Sequence, residues 1–172
     1  MDTKDKTSVR VGYFLLHRLA NQHGVYGYIG AMLVMNNEGI PLSFKCTEAI
    51  KPTAIQRSLY GEKMELHIVT KLCVLPLIQA IKNELEILFV NEQSFLAIRE
   101  ETVIPTLFIQ QIENVSYDSQ SLVLKSHSEY ESDKKDIFDE SIRQSCRFDF
   151  IEPFDRIKKA VAILGKNDAR FQ

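Results

Sequence analysis

The side chains best suited to chemistry in this chain cluster between Lys45 and Glu62, in the run K-C-T-E-A-I-K-P-T-A-I-Q-R-S-L-Y-G-E. Lys45, Lys51, Thr53, Arg57, Tyr60 and Glu62 gather there around a passage from strand to helix. Pro52 suits the first turn of a helix, where its missing N–H has no partner to lose. The free N–H groups of such a turn, with Lys51 beside them and Arg57 about a turn further in, can cradle a phosphate or a carboxylate. Lys51, Thr53, Arg57, Tyr60 and Glu62 are therefore the anion-binding candidates. In an enzyme, Lys51, Arg57 and Tyr60 would hold the anion while Glu62 served as acid or base. Ordinary helix capping beside a solvated positive face accounts for the same residues without any ligand. Both readings stay open on sequence.

Other constellations are thin. The chain has only 7 glycines and lacks both G-x-G-x-x-G and G-x-x-x-x-G-K-[ST], which removes the standard dinucleotide and P-loop readings. H-E-x-x-H and G-x-S-x-G are absent as well. His17 and His23 are six apart while His67 and His127 stand alone, so a metal site would need ligands that local spacing does not supply. The acidic run after Ser126 lacks the glycine of a calcium loop. No metal and no cofactor is implied. The 3 cysteines, Cys46, Cys73 and Cys146, are odd in number and form no C-x-x-C pair. That argues against a disulfide framework and for a reducing cytoplasm, with Cys73 a small buried apolar residue.

Composition sets the outer bounds. With 172 residues, 45 % hydrophobic and 26 % charged, the chain is ordinary globular material, long enough for one domain with a real core. Lys plus Arg is 21 against 23 for Asp plus Glu, a formal net charge of -2. A DNA-coating basic protein is excluded on that count. Arg10, Tyr13 and Arg18, and again Arg143, Arg147 and Phe148, bring cations near aromatics without forming a dense stripe. Nucleic acid is accordingly an unlikely partner. The opening Met1-Asp2-Thr3-Lys4-Asp5-Lys6 is not a signal peptide, and Ile29 to Met35 is too short to cross a bilayer. The expected setting is the cytoplasm, with no membrane.

The elements that must position these residues follow from periodicity. Val11 to Ala20 fits a strand and a helix face about equally. Tyr26 to Met35, the turn Asn36-Asn37-Glu38-Gly39, and Ile40 to Cys46 read as a β-hairpin whose second strand buries Ile40, Leu42, Phe44 and Cys46. A helix opens at Pro52 and ends near Tyr60-Gly61. A second carries Met64, Ile68, Leu72 and Leu75 until Pro76 kinks or divides it. Leu85 to Val90 reads as a central strand, Glu92 to Arg99 as a short helix or turn, and Thr106 to Gln110 and Ser121 to Lys125 as further strands. Ser126 to Glu140, dense in charge, reads as a mobile acidic loop. Glu152-Pro153 opens a last amphipathic helix with Phe154, Ile157, Ala160, Val161 and Leu164 on one stripe, capped at Gly165.

The expected fold is α+β: a mixed, partly antiparallel sheet with an early β-hairpin, packed against two or three helices including the C-terminal amphipathic one. The domain spans 9–165, with flexible ends at 1–8 and 166–172 and the acidic loop at 126–140. The hairpin-then-helix opening resembles the profilin-like and roadblock/longin scaffolds over about a third of the chain, through no specific motif, and implies no residue role. Tyr26, Tyr28, Tyr60, Phe95, Tyr117 and Tyr130 are candidate half-exposed aromatics for an interface. Phe154, Ile157 and Val161 are the partner-binding candidates. Together these point to a non-catalytic interaction or scaffold subunit of a cytoplasmic complex, its partner another subunit or a second copy. The alternative is a small enzyme acting on a phosphorylated or nucleic-acid substrate.

Overall fold

The computed structural model describes residues 8–82, 84–113 and 120–172. Six strands form one sheet in the order β3-β2-β1-β4-β5-β6. They are β1 (Arg10–Asn21), β2 (Gly24–Asn36), β3 (Pro41–Cys46), β4 (Ile87–Val90), β5 (Thr106–Glu113) and β6 (Gln120–Ser126). The pairs β1/β2, β2/β3 and β5/β6 are antiparallel, while β4 runs parallel to both β1 and β5. This is the expected mixed α+β architecture, with its early hairpin and C-terminal helix. The hairpin, β2 and β3, is the outer part of a three-stranded meander with β1 and leads into the first helix. All but the first seven residues of the expected flexible N-terminus lie within the described set, so residues 1–7 and Tyr117 fall outside it.

The sheet is covered on both faces, which explains why β1 had no clean period. Val11, Tyr13 and Leu15 point to one core, and Phe14 and Leu16 to the other. A strand buried on both sides reads as a continuous apolar run. The turn before β3 is built by Asn36, whose side-chain oxygen accepts from the N–H groups of Glu38 and Ile40, both at 3.0 Å. Gly39 completes it at φ 79°, a conformation that favours glycine. On the edge strand β3 the expected buried face is only half present. Phe44 and Cys46 pack inward, but Ile40 and Leu42 are exposed.

The first face is roofed by a nearly unbroken helical stretch. It comprises α1 (Ala54–Tyr60), a 3-10 turn (Gly61–Lys63), α2 (Met64–His67), a π-helical segment (Ile68–Val74) and α3 (Leu75–Ala80). Pro76 does not divide this stretch. The Leu75 N–H bonds the Thr70 carbonyl, five residues back, and the wider π turn leaves room where a proline ring would strike a regular helix. Met64, Ile68, Val69, Cys73, Val74 and Leu77 pack against Phe14, Met32 and Leu88. Leu72, assigned to the buried stripe on sequence, faces out because the π turn rotates the helix face.

The opposite face is roofed by α5 (Glu152–Asn167) and a π-helical segment (Asp133–Ile142) that runs into α4 (Arg143–Ser145). The tract expected as a mobile acidic loop is thus helical from Asp133. Phe138 and Ile142 are fully buried in the core, and of the charged residues only Asp133 is buried with them. Helix α5 continues through Gly165 to Asn167 instead of stopping there. The expected flexible tail at 166–172 turns back as a 3-10 helix, Ala169–Phe171, with Phe171 buried. Its backbone is tied in as well, since the Ala49 N–H donates to the Arg170 carbonyl at 2.7 Å. Phe154, Ile157 and Val161 are 4 %, 0 % and 2 % exposed, so they pack inside this chain and are not available to a partner. Burying each stabilises the fold by roughly 1.5–3 kcal/mol.

Candidate functional site

Past β3 the chain keeps contact with the sheet through one more bridge. Tyr28 donates to the Ile50 carbonyl at 2.9 Å and Ile50 donates back to Tyr28 at 2.8 Å. The chain then leaves through Lys51 and Pro52 and turns into α1. Gly61, at φ 53°, reverses it into the 3-10 turn, and α2 brings Met64 and His67 back over Ile50. Between these segments lies a hollow of about 260 Å³. Its apolar lining is Ile50, Pro52, Met64, Ile68 and the outward Leu72, and its polar lining is Lys51, Gln56, Tyr60 and His67.

The polar lining is held by ring contacts. The Tyr60 ring lies over the His67 imidazole with centroids 4.7 Å apart, tilted by 39°. Lys51 stands with its ammonium 5.8 Å from the centre of the Tyr26 ring. Its aliphatic stem crosses Gly27, where an added Cβ would come 3.2 Å from Lys51 Cγ. Glycine at that position therefore makes the close approach possible. A cation, a phenol, a carboxamide and an imidazole share the hollow with its apolar lining. That set can bind an anion, shield a flat ring and move a proton.

Of the five anion-binding candidates, the structure brings two together. Lys51 and Tyr60 line the hollow. Thr53 is the N-cap of α1: its hydroxyl accepts from the Gln56 N–H at 3.2 Å, while the Gln56 side chain accepts from the Thr53 N–H at 2.9 Å. This capping box occupies the Thr53 and Gln56 N–H groups, two of those at the helix start, and Pro52 sits before the cap, outside the helix. Arg57 does not line the hollow, and one of its guanidinium nitrogens, Nη2, is buried without a partner. Glu62 is exposed in the 3-10 turn and does not line the hollow. Sequence spacing missed His67. It follows Tyr60 by seven residues, two helical turns, and that interval was the available signal.

A second polar cluster sits beside α2, at the carboxyl ends of the parallel strands β1 and β4. Arg18 donates from Nε to Glu65 at 3.1 Å, and from Nη1 and Nη2 to the two oxygens of Glu92, each at 2.8 Å. Hydrogen bonds to Glu92 and then Glu65 hold the guanidinium above its ordinary pKa. Arg18 is thereby committed to fastening α2 to the sheet. Tyr13, its expected aromatic companion, is fully buried and donates its hydroxyl to the Phe150 carbonyl at 2.9 Å. Tyr28 and Phe95 are buried too, which takes them from the list of interface aromatics. Among the described residues no three His, Cys, Asp or Glu side chains are placed to share a metal ion.

The thiols are poor nucleophiles. All three cysteines are free, and burial pushes Cys73 up to about 12, Cys146 up to about 11 and Cys46 upward from its ordinary value. A thiol in that range is protonated at neutral pH.

No protein-family model matches the chain, and no curated protein matches it. Among solved structures it is similar to human ENDOV, with a TM-score of 0.36 and 11 % identity, over 69 % of this chain and 53 % of that one. A substituted form of Ciona intestinalis endonuclease V, in complex with a 23mer DNA containing an inosine followed by a ribo-adenosine, gives a TM-score of 0.34 and 12 % identity. That match covers 60 % of this chain and 46 % of the other. The Ciona intestinalis enzyme with a 24mer DNA of the same kind gives 0.35 and 14 %, over 63 % and 48 %. This chain spans about half the length of the endonuclease V chains it matches. The likeness is partial, and no residue role passes through it.

The expectation of a non-catalytic scaffold or complex subunit, with another protein as partner and nucleic acid an unlikely one, is corrected where it rested on Phe154, Ile157 and Val161 as a docking stripe. The apolar stripe meant for a partner lies in the chain's own core.

Proposed function

We propose that this chain is a small enzyme acting on a phosphorylated or nucleic-acid substrate held in the hollow between α1 and α2. The observation that carries this reading is the convergence of Lys51, Gln56, Tyr60 and His67 in one hollow with an apolar lining. Lys51 takes a phosphate oxygen as a point charge. Gln56, exposed on the first turn of α1, adds a hydrogen bond from its amide. His67 is the group lining the hollow that is suited to give or take a proton, a place Glu62 does not share. The Tyr60 ring over the imidazole limits its contact with water. A reducing, cytoplasmic setting belongs to the same proposal and is supported by the free state of Cys46, Cys73 and Cys146. No helix of the described residues is long and apolar enough to cross a membrane.

The test is turnover of bis(p-nitrophenyl) phosphate and of end-labelled oligonucleotides by the full chain. Replacing His67→Asn is expected to lower kcat by about 10²-fold or more, the usual worth of a positioned acid or base. Lys51→Ala is expected to raise KM. Turnover that survives His67→Asn, or no turnover of any phosphoester, contradicts the proposal.

A further inference from the structure

The hollow is built for the flat face of a base more than for a backbone of phosphates. Five of its nine lining residues are apolar, and Lys51 is the only lysine or arginine lining it among the described residues. Tracking a duplex by its phosphates takes a row of cations, each releasing counterions. One lysine in a chain of net charge -2 does not supply that row. The rings tell the same story. Tyr60, which lines the hollow with Lys51, is 42 % exposed, and Tyr26, whose ring centre is 5.8 Å from the Lys51 ammonium, is 37 % exposed. Such large half-exposed rings beside one cation match the way single strands are held, with bases stacked on aromatics and the charge set between them. In a duplex those base faces are already stacked on their neighbours and cannot enter a recess.

We infer that the substrate of this site is single-stranded nucleic acid, bound through an unpaired base in the hollow and a neighbouring phosphate on Lys51, and that duplex is excluded. This rests on the proposed function and narrows it from phosphorylated substrates at large. Tyr60 is the specificity-determining residue, since its ring stacks on His67 and closes one side of the recess.

The test is fluorescence anisotropy of the full chain with a labelled oligothymidylate, its duplex with oligoadenylate, and a labelled nucleoside 5′-monophosphate at one salt concentration. The single strand is expected to bind at least about tenfold more tightly than the duplex, and Tyr60→Leu to weaken it by about tenfold, the worth of one stacked base. Tyr60→Phe, which restores the ring, is expected to recover that loss. Because Tyr60 is exposed, an unchanged melting temperature shows that Tyr60→Leu is folded. Equal binding of duplex and single strand, or an unchanged affinity in Tyr60→Leu, overturns the inference and leaves the phosphorylated-substrate reading in place. Binding of the monophosphate without the single strand does the same. If none of the three binds, both fall together.

Discussion

The carboxylate of Asp133, 2 % exposed, accepts a hydrogen bond from Arg99 Nε at 2.7 Å. The same carboxylate accepts from the Thr106 N–H at 3.1 Å, at the start of β5. Arg99 in turn donates to the Thr102 carbonyl at 2.9 Å and lies 4.0 Å from the centre of the Tyr130 ring. One buried acid therefore anchors the helix expected as a loop to the sheet. Removing one partner of such a pair strands the other charge and leaves a backbone donor unpaired. Asp133→Ala is expected to lower the unfolding free energy by about 3 kcal/mol in urea melts. A loss well under about 1 kcal/mol would show that the pair does not anchor the helix.

Pro76 gives a prediction of the opposite kind. In a regular helix interior a proline costs about 3 kcal/mol, and its replacement by alanine would return that energy. Here the π turn before it already accommodates the ring. Pro76→Ala is accordingly expected to change stability by under about 1 kcal/mol. A gain of several kcal/mol would mean that the proline strains the helix after all.

Gly30 sits where β2 meets the π-helical segment. A Cβ there would lie 2.5 Å from Cys73 Cβ and 2.7 Å from its Sγ. The nearer atom belongs to a fixed part of the helix, so the neighbour cannot swing away. At Gly12 the obstruction is Leu85 Cδ1 at 2.9 Å, the far end of a flexible side chain. Gly30→Ala is expected to cost about 1–3 kcal/mol by overpacking, and Gly12→Ala less. Thermal melts of the two variants decide it, and the reverse order would refute the packing described.

Glu86 supplies the pH dependence. Burial raises its carboxyl above the ordinary value, against the opposing pull of the Arg10 N–H and charge. A carboxyl raised in the folded state favours folding at acid pH, and that contribution is lost as pH climbs through its folded pKa. At neutral pH the ionised group is thus a liability. Glu86→Gln is expected to melt higher than the parent at pH 7, with the difference vanishing near pH 4. A Glu86→Gln variant that melts lower at pH 7 would reverse the sign.

What the sequence made legible divides along physical lines. The turn at Asn36–Gly39 was readable because its chemistry is local: the Asn36 side chain and Gly39 settle it without help. So was β4, whose unbroken apolar run admits little else. The helix at Asp133–Ile142 was not, because Phe138 and Ile142 are four apart inside a run of charges, and their burial depends on a sheet face assembled from distant residues. The hollow was half legible. Lys51 and Tyr60 lie within one short run, whereas His67 is set by a helix whose register the 3-10 turn alters. Arg18 reaches Glu65 and Glu92 across 47 and 74 residues of chain, separations at which local spacing carries no signal.

The most direct test of the central claim is a chemical-shift map of the full chain titrated with a 5′-phosphorylated short single strand. The account predicts perturbations at Lys51, Gln56, Tyr60, Met64, His67 and Leu72, around the hollow, with Phe154 and Ile157 on the far face unmoved. Shifts centred on the α5 face, or none at saturating ligand, would contradict it.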